Sequence, residues 1–302
     1  FRASQTALVI SAATLSNAFS PRLMSFGSFA GRGLHSSWAK LKGASNLMVK
    51  RPAAAGQARM SSSGPFGTLQ GPELAAAARR AGAKRVYGPI AEGMPPPAAG
   101  KHTATVIWLH GLGDTGFGWV PVARALDMPH VKFLFPTAPS LRVTLNGGME
   151  MPSWFDIFSL DPEDASEDES GIWQSAAYLM ELVDKEVAAG VDPRRVVLAG
   201  FSQGGAVALA AATMADRPLG GFLGLSTWLP LCARAFNAPD TPVLMCHGDS
   251  DFVVQHAWGQ ESHRRLTELG VRAEFKTYRG LDHGFCDPEQ RDVAAFLRDR
   301  IP

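Results

Sequence analysis

From residue 103 onward the chain alternates short apolar runs with longer stretches in which apolar residues recur every three or four positions. Thr103–Leu109, Val131–Phe135, Val196–Ala199, Phe222–Leu225 and Val243–Cys246 are apolar or β-branched throughout, and most end at Gly, Pro or His. Unbroken runs of this kind predict strands buried on both faces of a mostly parallel sheet. Arg272–Tyr278 alternates in polarity, as a later strand would. Ile172, Ala176, Leu179, Val183 and Val187 step by three or four up to Gly190, which predicts one long helix with a glycine stop. Asp287-Pro288-Glu289-Gln290 predicts the last helix, with Asp287 as N-cap, Pro at the first position and Gln three residues on. The order strand, helix, strand, helix predicts an α/β fold with a mostly parallel central sheet, helices on both of its faces, and one domain over residues 86–302. Sites in such folds lie at the carboxyl ends of the strands.

Two stretches break the pattern. Residues 88–100, rich in Gly and Pro, read as a linker at the edge of the body. Residues 140–170 hold Asn146-Gly147-Gly148, Trp154-Phe155 and six acids within 161–169. The acids read as a solvated loop. Met149, Met151, Trp154, Phe155, Ile157, Phe158 and Leu160 in the same stretch point instead to a lid or a substrate wall.

Composition narrows the class. With 302 residues, 46% of them hydrophobic, and a net charge of +1, the chain can bury a substantial core and is not disordered throughout. Cys232, Cys246 and Cys286 are too few and too far apart for a disulfide scaffold or a zinc site. No apolar stretch reaches the ~18 residues that span a bilayer. The small net charge hides a division. Residues 1–85 carry twelve Lys and Arg against one acid, Glu73, while residues 86–302 carry seventeen against twenty-seven. An acidic body repels phosphate backbones, so nucleic acid is not an expected partner. The basic head, lacking acids before Glu73 and rich in Ser, Ala and Gly, has the composition of a disordered targeting segment. Two locations follow: mitochondrion or plastid if residues 1–85 act as a transit peptide, the cytoplasm if the protein starts as late as Met60.

The chemistry concentrates at Gly200-Phe201-Ser202-Gln203-Gly204, a G-x-S-x-G placed between the strand at 196–199 and a small-residue helix over Ala206–Ala212. A serine on a sharp strand-to-helix turn is lifted above the sheet, and the helix N-terminus behind it favours developing negative charge. Ser202 is the candidate nucleophile. Such a serine needs a base, and the base needs an acid. His283, in the loop between the last strand and last helix, is the candidate base in preference to His247, His256 and His263. The acid follows the strand ending at Cys246, where spacing leaves Asp249 and Asp251 both open. An oxyanion hole needs the N–H of Gln203 and one from the Gly-rich loop His110–Gly116, with Leu112 the candidate donor. No paired acids, H-E-x-x-H or Cys/His cluster calls for a metal or another cofactor.

Several longer strings carry a resemblance. They are His110-Gly111-Leu112-Gly113-Asp114-Thr115-Gly116, Thr144-Leu145-Asn146, Met151-Pro152-Ser153-Trp154-Phe155-Asp156 and Glu167-Asp168-Glu169-Ser170-Gly171-Ile172. Gly200–Gly205, Trp228-Leu229-Pro230 and Cys246-His247-Gly248-Asp249-Ser250-Asp251 complete the set. Over roughly residues 103–300 the chain resembles the acyl-protein thioesterases, also described as lysophospholipase-like carboxylesterases, within the α/β-hydrolases. The resemblance implies the α/β-hydrolase fold, Asp251 as the acid, and an acyl channel using Leu112, Leu145, Trp154, Trp228 and Val253. It implies S-acylated proteins or lysophospholipid esters as substrates and a monomer or weak homodimer. Phe252 and Gly284-Phe285 depart from the family's usual residues. The rival expectations are a carboxylesterase of small soluble esters and a non-catalytic binding protein of the same fold.

Overall fold

The computed structural model describes residues 66–93, 102–160, 164, 166–237 and 240–302. Among the described residues, nine strands and six α-helices run in chain order: α1 (Gly71–Arg80), β1 (Ile90–Glu92), β2 (Ala104–Leu109), α2 (Gly116–Leu126), β3 (Val131–Pro136), β4 (Ser140–Val143), β5 (Met149–Pro152), α3 (Glu169–Ala188), β6 (Val196–Phe201), α4 (Gln203–Ala211), β7 (Gly221–Leu225), β8 (Val243–Gly248), α5 (His256–Glu268), β9 (Ala273–Tyr278) and α6 (Asp287–Arg300). Seven strands form the main sheet in the order β1-β3-β2-β6-β7-β8-β9, and β4 and β5 pair as a separate hairpin. Within the main sheet of the described residues every pair is parallel except β1 with β3, and the β4–β5 hairpin is antiparallel.

The sequence pattern follows from this order. β2, β6 and β8 lie inside the sheet and are buried at every position, so they read as unbroken apolar runs. β9 is an edge strand in which only Tyr278 is buried, and its sequence mixes polar with apolar residues. Successive residues of one strand feed opposite layers. Ile107, Leu109 and Leu198 pack with α3 and α4, while Val106, Trp108, Val197 and Ala199 pack with α2 and α6.

Four expectations need amendment. The basic head does not extend to residue 85 as an unfolded segment. Residues 1–65 lie outside the described residues, but α1 buries Leu74, Ala75 and Ala78 in the same layer as α3. Net charge marked the segment, whereas an apolar helix face governs its last turns. Within the expected linker, Ile90–Glu92 pairs with Leu134–Pro136 as an edge strand, and residues 94–100 lie outside the description. Part of the 140–170 stretch is the β4–β5 hairpin, its two strands registered Ser140 to Pro152 and Val143 to Met149. The N-cap of α6 is Cys286, one residue earlier than expected, which puts Glu289 at the third helical position.

That shift has an energetic consequence. Glu289 is fully buried, and burial pushes its carboxyl up to about 8. An unfolded Glu loses its proton near pH 4.3. Unfolding therefore releases a proton throughout the window between those values, and stability falls as pH rises across it. Glu289→Gln should stabilise the protein by roughly 2 kcal/mol at pH 8 and by much less at pH 4. Paired denaturant melts check this; an equal gain at both pH values would contradict the assignment.

Candidate active site

The site is built on the turn between β6 and α4. Ser202 sits there at φ 52°, ψ −121°, a conformation that costs a non-glycine residue about 1–3 kcal/mol. Its neighbours explain the glycines. A Cβ on Gly200 would lie 2.3 Å from the Gly204 carbonyl carbon, and one on Gly204 would lie 2.5 Å from the His110 carbonyl oxygen. The turn is pinned from behind: Ser202 N–H donates to Leu225 O (2.8 Å), and Thr227 Oγ1 donates to Ser202 O (2.7 Å).

Two further loops reach the serine from the carboxyl ends of β8 and β9. His283 Nε2 lies 3.0 Å from Ser202 Oγ, and its Nδ1 lies 2.7 Å from Asp251 Oδ2. The other oxygen of Asp251 accepts the N–H groups of Val253 and Val254, both at 2.9 Å. Burial alone would raise the Asp251 carboxyl. Hydrogen bonds from His247 and His283 outweigh it and hold the group well below the usual carboxylate range. His283 is thus anchored by a permanent anion and faces a hydroxyl, an arrangement able to take a proton from that hydroxyl and return it. Asp249 points elsewhere: it is exposed and accepts Gly280 N–H at 2.6 Å, a turn role. The remaining histidines are also occupied. His247 Nε2 bonds Val254 O, His256 Nε2 pairs with Thr277 Oγ1, and His263 Nε2 bonds Ala273 O.

The Gly-rich loop after β2 lies against the serine, since a Cβ on Gly111 would be 3.5 Å from Ser202 Cβ. Leu112 follows directly, and Gly113 N–H donates to Pro152 O (2.9 Å), tying this loop to the hairpin. Gln203 is the first residue of α4, where backbone N–H groups have no intrahelical acceptor. His110 is buried between two backbone groups. Its Nε2 accepts Ala138 N–H (3.0 Å), which leaves Nδ1–H to donate to Gly111 O (2.6 Å), and burial lowers its pKa.

The expected channel residues divide. Trp228 lines a cavity of about 320 Å³ together with Phe155, Ile157, Phe158, Leu160 and Trp258. Leu112, Leu145 and Val253 are half-buried, and Leu145 is held by its N–H to Ile157 O, 2.8 Å. Trp154 is not a channel residue. It is fully buried; its Nε1 donates to His110 O (2.8 Å) and its N–H to Gln203 Oε1 (3.0 Å). An aromatic in an apolar-rich loop reads equally as wall or as core, and here the loop folds inward.

Sequence reading missed two groups. The Gly-x-Ser-x-Gly motif points only to the backbone N–H of Gln203, yet its side-chain Nε2 donates to Ser153 Oγ (3.0 Å) and Phe155 O (2.7 Å), fastening the cavity wall to the turn. The acids of 161–169 are not all solvated, for Glu167 and Asp168 are half-buried acceptors of backbone N–H groups. Motif strings flag such residues, but only a folded chain gives them partners. Among the described residues, no group of three or more His, Cys, Asp and Glu side chains is placed to hold a metal ion.

A parallel sheet that presents a strained serine above its central strand, with a histidine and an aspartate delivered by later loops, defines an α/β-hydrolase. The chain belongs to the phospholipase/carboxylesterase family, whose model matches residues 96–301, and it is a hydrolase. It is 41% identical over 222 residues to acyl-protein thioesterase 1 of Neurospora crassa, covering 68% of this chain and 90% of that protein. Acyl-protein thioesterase 1 of Gibberella zeae is 43% identical over 221 residues, covering 68% and 94%. Among solved structures, Zea mays acyl-protein thioesterase 2 aligns with TM-score 0.63 and 33% identity, over 72% of this chain and 100% of that one. Arabidopsis thaliana SOBER1 aligns with TM-score 0.61 and 33% identity, over 66% and 99%.

Proposed function

We propose that this hydrolase cleaves long-chain acyl thioesters and esters, with S-acylated proteins as its main substrates and lysophospholipid esters as a second class. Ser202 Oγ attacks the acyl carbonyl while His283 Nε2 takes its proton. The oxyanion that forms is held by the N–H groups of Leu112 and Gln203. His283 then protonates the departing thiolate or alkoxide, leaving an acyl-serine. Water, deprotonated by the same imidazole, attacks that ester and releases the fatty acid and the free serine. Asp251 keeps the imidazole turned and stabilises its charged form between the two transfers.

The observation that carries the substrate class is the aromatic cavity at Trp228. It adjoins the serine turn through two links, the Gln203–Phe155 hydrogen bond and the Thr227–Ser202 hydrogen bond next to Trp228. Ser202 does not itself line the cavity, and Asp156, Asp164, Glu167, Asp168, Glu261 and Arg265 share its walls with the aromatics. The apolar side chains nonetheless offer a surface for a hydrocarbon tail, whose transfer from water is worth ~0.8 kcal/mol per methylene. The acyl-protein thioesterase 1 relatives of Neurospora crassa and Gibberella zeae, at 41% and 43% identity, support the same class. The three cysteines are all free thiols, as suits a reducing compartment such as the cytoplasm. No helix among the described residues is long and apolar enough to cross a membrane.

The test is a thioester series from acetyl to palmitoyl. Burial of even four methylenes beyond acetyl gives ~3 kcal/mol, so kcat/KM should rise by about two orders of magnitude along the series. A fall beyond butyryl would instead favour small soluble esters.

A further inference from the structure

The wall of the cavity that carries Trp228 has no helix or strand of its own. Residues 226–237 run as bends, turns and irregular chain, so their backbone polar groups need partners from elsewhere. For the stretch from Leu229 to Ala233, three side chains provide them. Glu167 accepts Leu231 N–H at 2.6 Å through Oε1 and Cys232 N–H at 3.0 Å through Oε2. Arg265, on α5, donates to the carbonyls of Leu229 (2.8 Å), Pro230 (3.1 Å) and Ala233 (3.0 Å). Ser262 accepts Leu229 N–H at 2.8 Å and donates to Trp258 O at 2.6 Å.

The other wall is tied by the very next residue after Glu167. Asp168 Oδ2 accepts Asp156 N–H at 2.9 Å, while Oδ1 accepts Gly171 N–H at 2.9 Å and so caps α3. Two adjacent carboxylates thus hold two walls of one cavity, and a helix start fixes both. Glu167 is enclosed enough that burial raises its carboxyl, against the pull of those two N–H groups and of Arg265.

We infer that Glu167 is a positioning residue for acyl-chain selectivity: opposite Arg265, it holds the Trp228–Cys232 segment at the spacing that admits a long chain. This rests on reading the cavity as the acyl pocket. On that reading an acetyl group on Ser202, which does not itself line the cavity, leaves the clamped wall untouched, whereas a palmitoyl chain runs along it. Releasing the clamp therefore acts on long substrates far more than on short ones.

Glu167→Ala and Glu167→Gln, assayed with acetyl, octanoyl and palmitoyl thioesters beside amide hydrogen exchange, test the inference. In Glu167→Ala, kcat/KM for palmitoyl should fall about tenfold or more, mostly through KM, and that for acetyl by less than about threefold. Exchange at Leu231 and Cys232 should quicken while β6 keeps its protection. Glu167→Gln, which keeps one acceptor oxygen, should fall between, and it serves if the alanine variant does not fold. An unchanged palmitoyl-to-acetyl ratio overturns the inference. An equal loss on both substrates overturns it too, because general loosening does that. If the unaltered enzyme shows no chain-length preference, the acyl-pocket reading fails and the selectivity role with it; quickened exchange in Glu167→Ala would still register the clamp, keeping the two failures distinct.

Discussion

Ser202→Ala should lower kcat on any acyl substrate by at least roughly four orders of magnitude while leaving the fold in place. The reason is that proton transfer and bond formation both pass through one oxygen, 3.0 Å from His283 Nε2. Removing it strands the base and the acid together, so His283→Ala should cost about as much, and the double variant little more. The fold should survive because the turn does not depend on the hydroxyl. The Leu225 and Thr227 hydrogen bonds engage the backbone of residue 202, and the glycines at 200 and 204 make room for it. Alanine carries the same penalty as serine at φ 52°, so the strain is neither released nor increased. Melting should shift by no more than the loss of one hydrogen bond, about 1 kcal/mol. Turnover with a chromogenic ester, covalent labelling by a fluorophosphonate and a urea melt together decide the matter. Labelling or near-normal turnover in the variant would mean that another residue is the nucleophile.

The sheet was legible because its inner strands are buried on both faces, which writes an unmistakable apolar run into β2, β6 and β8. The serine turn was legible for a local reason: its geometry excludes any side chain at Gly200 and Gly204. His283 could be chosen by topology alone, since the loop after the last strand opens onto the top of the sheet. The choice between Asp249 and Asp251 was beyond spacing. Two residues apart in one loop, they differ only in where the turn points them, and Asp249 faces Gly280 N–H while Asp251 faces the imidazole. Composition misled at two places. Arg79 and Arg80 put α1 in the basic head, although Leu74 and Ala78 decide its packing. The acids at 167 and 168 looked solvated because charge runs usually are, and apart from Gly171 N–H the groups they accept come from segments 12 to 65 residues away in sequence. A pattern read along the chain sees periodicity and turn chemistry; it does not see which distant backbone will lack a partner.

Trp154→Ala should be the most destabilising single change in the site region, costing about 3–5 kcal/mol. The indole is fully buried, packs 5.1 Å from the His110 ring, and is 6.3 Å from Tyr87. Truncation opens a cavity that fixed neighbours cannot fill. It also removes the donor to His110 O, and this carbonyl belongs to the loop that carries Leu112. Two roles for Trp154 make opposite demands. As a substrate wall, its loss would raise KM for long acyl chains and spare the melting point. As a buried brace between the hairpin, the Gly-rich loop and the serine turn, its loss should lower the melting point and reduce kcat for acetyl and palmitoyl substrates alike. Trp154→Phe separates packing from hydrogen bonding: it keeps most of the apolar contact and should cost only about 1–2 kcal/mol. A urea melt of both variants, read beside kcat and KM for the two substrates, tells the roles apart. Unaltered stability in Trp154→Ala would return the residue to the channel, whereas a large loss shared by both substrates makes it the brace on which the Gly-rich loop carrying Leu112 depends.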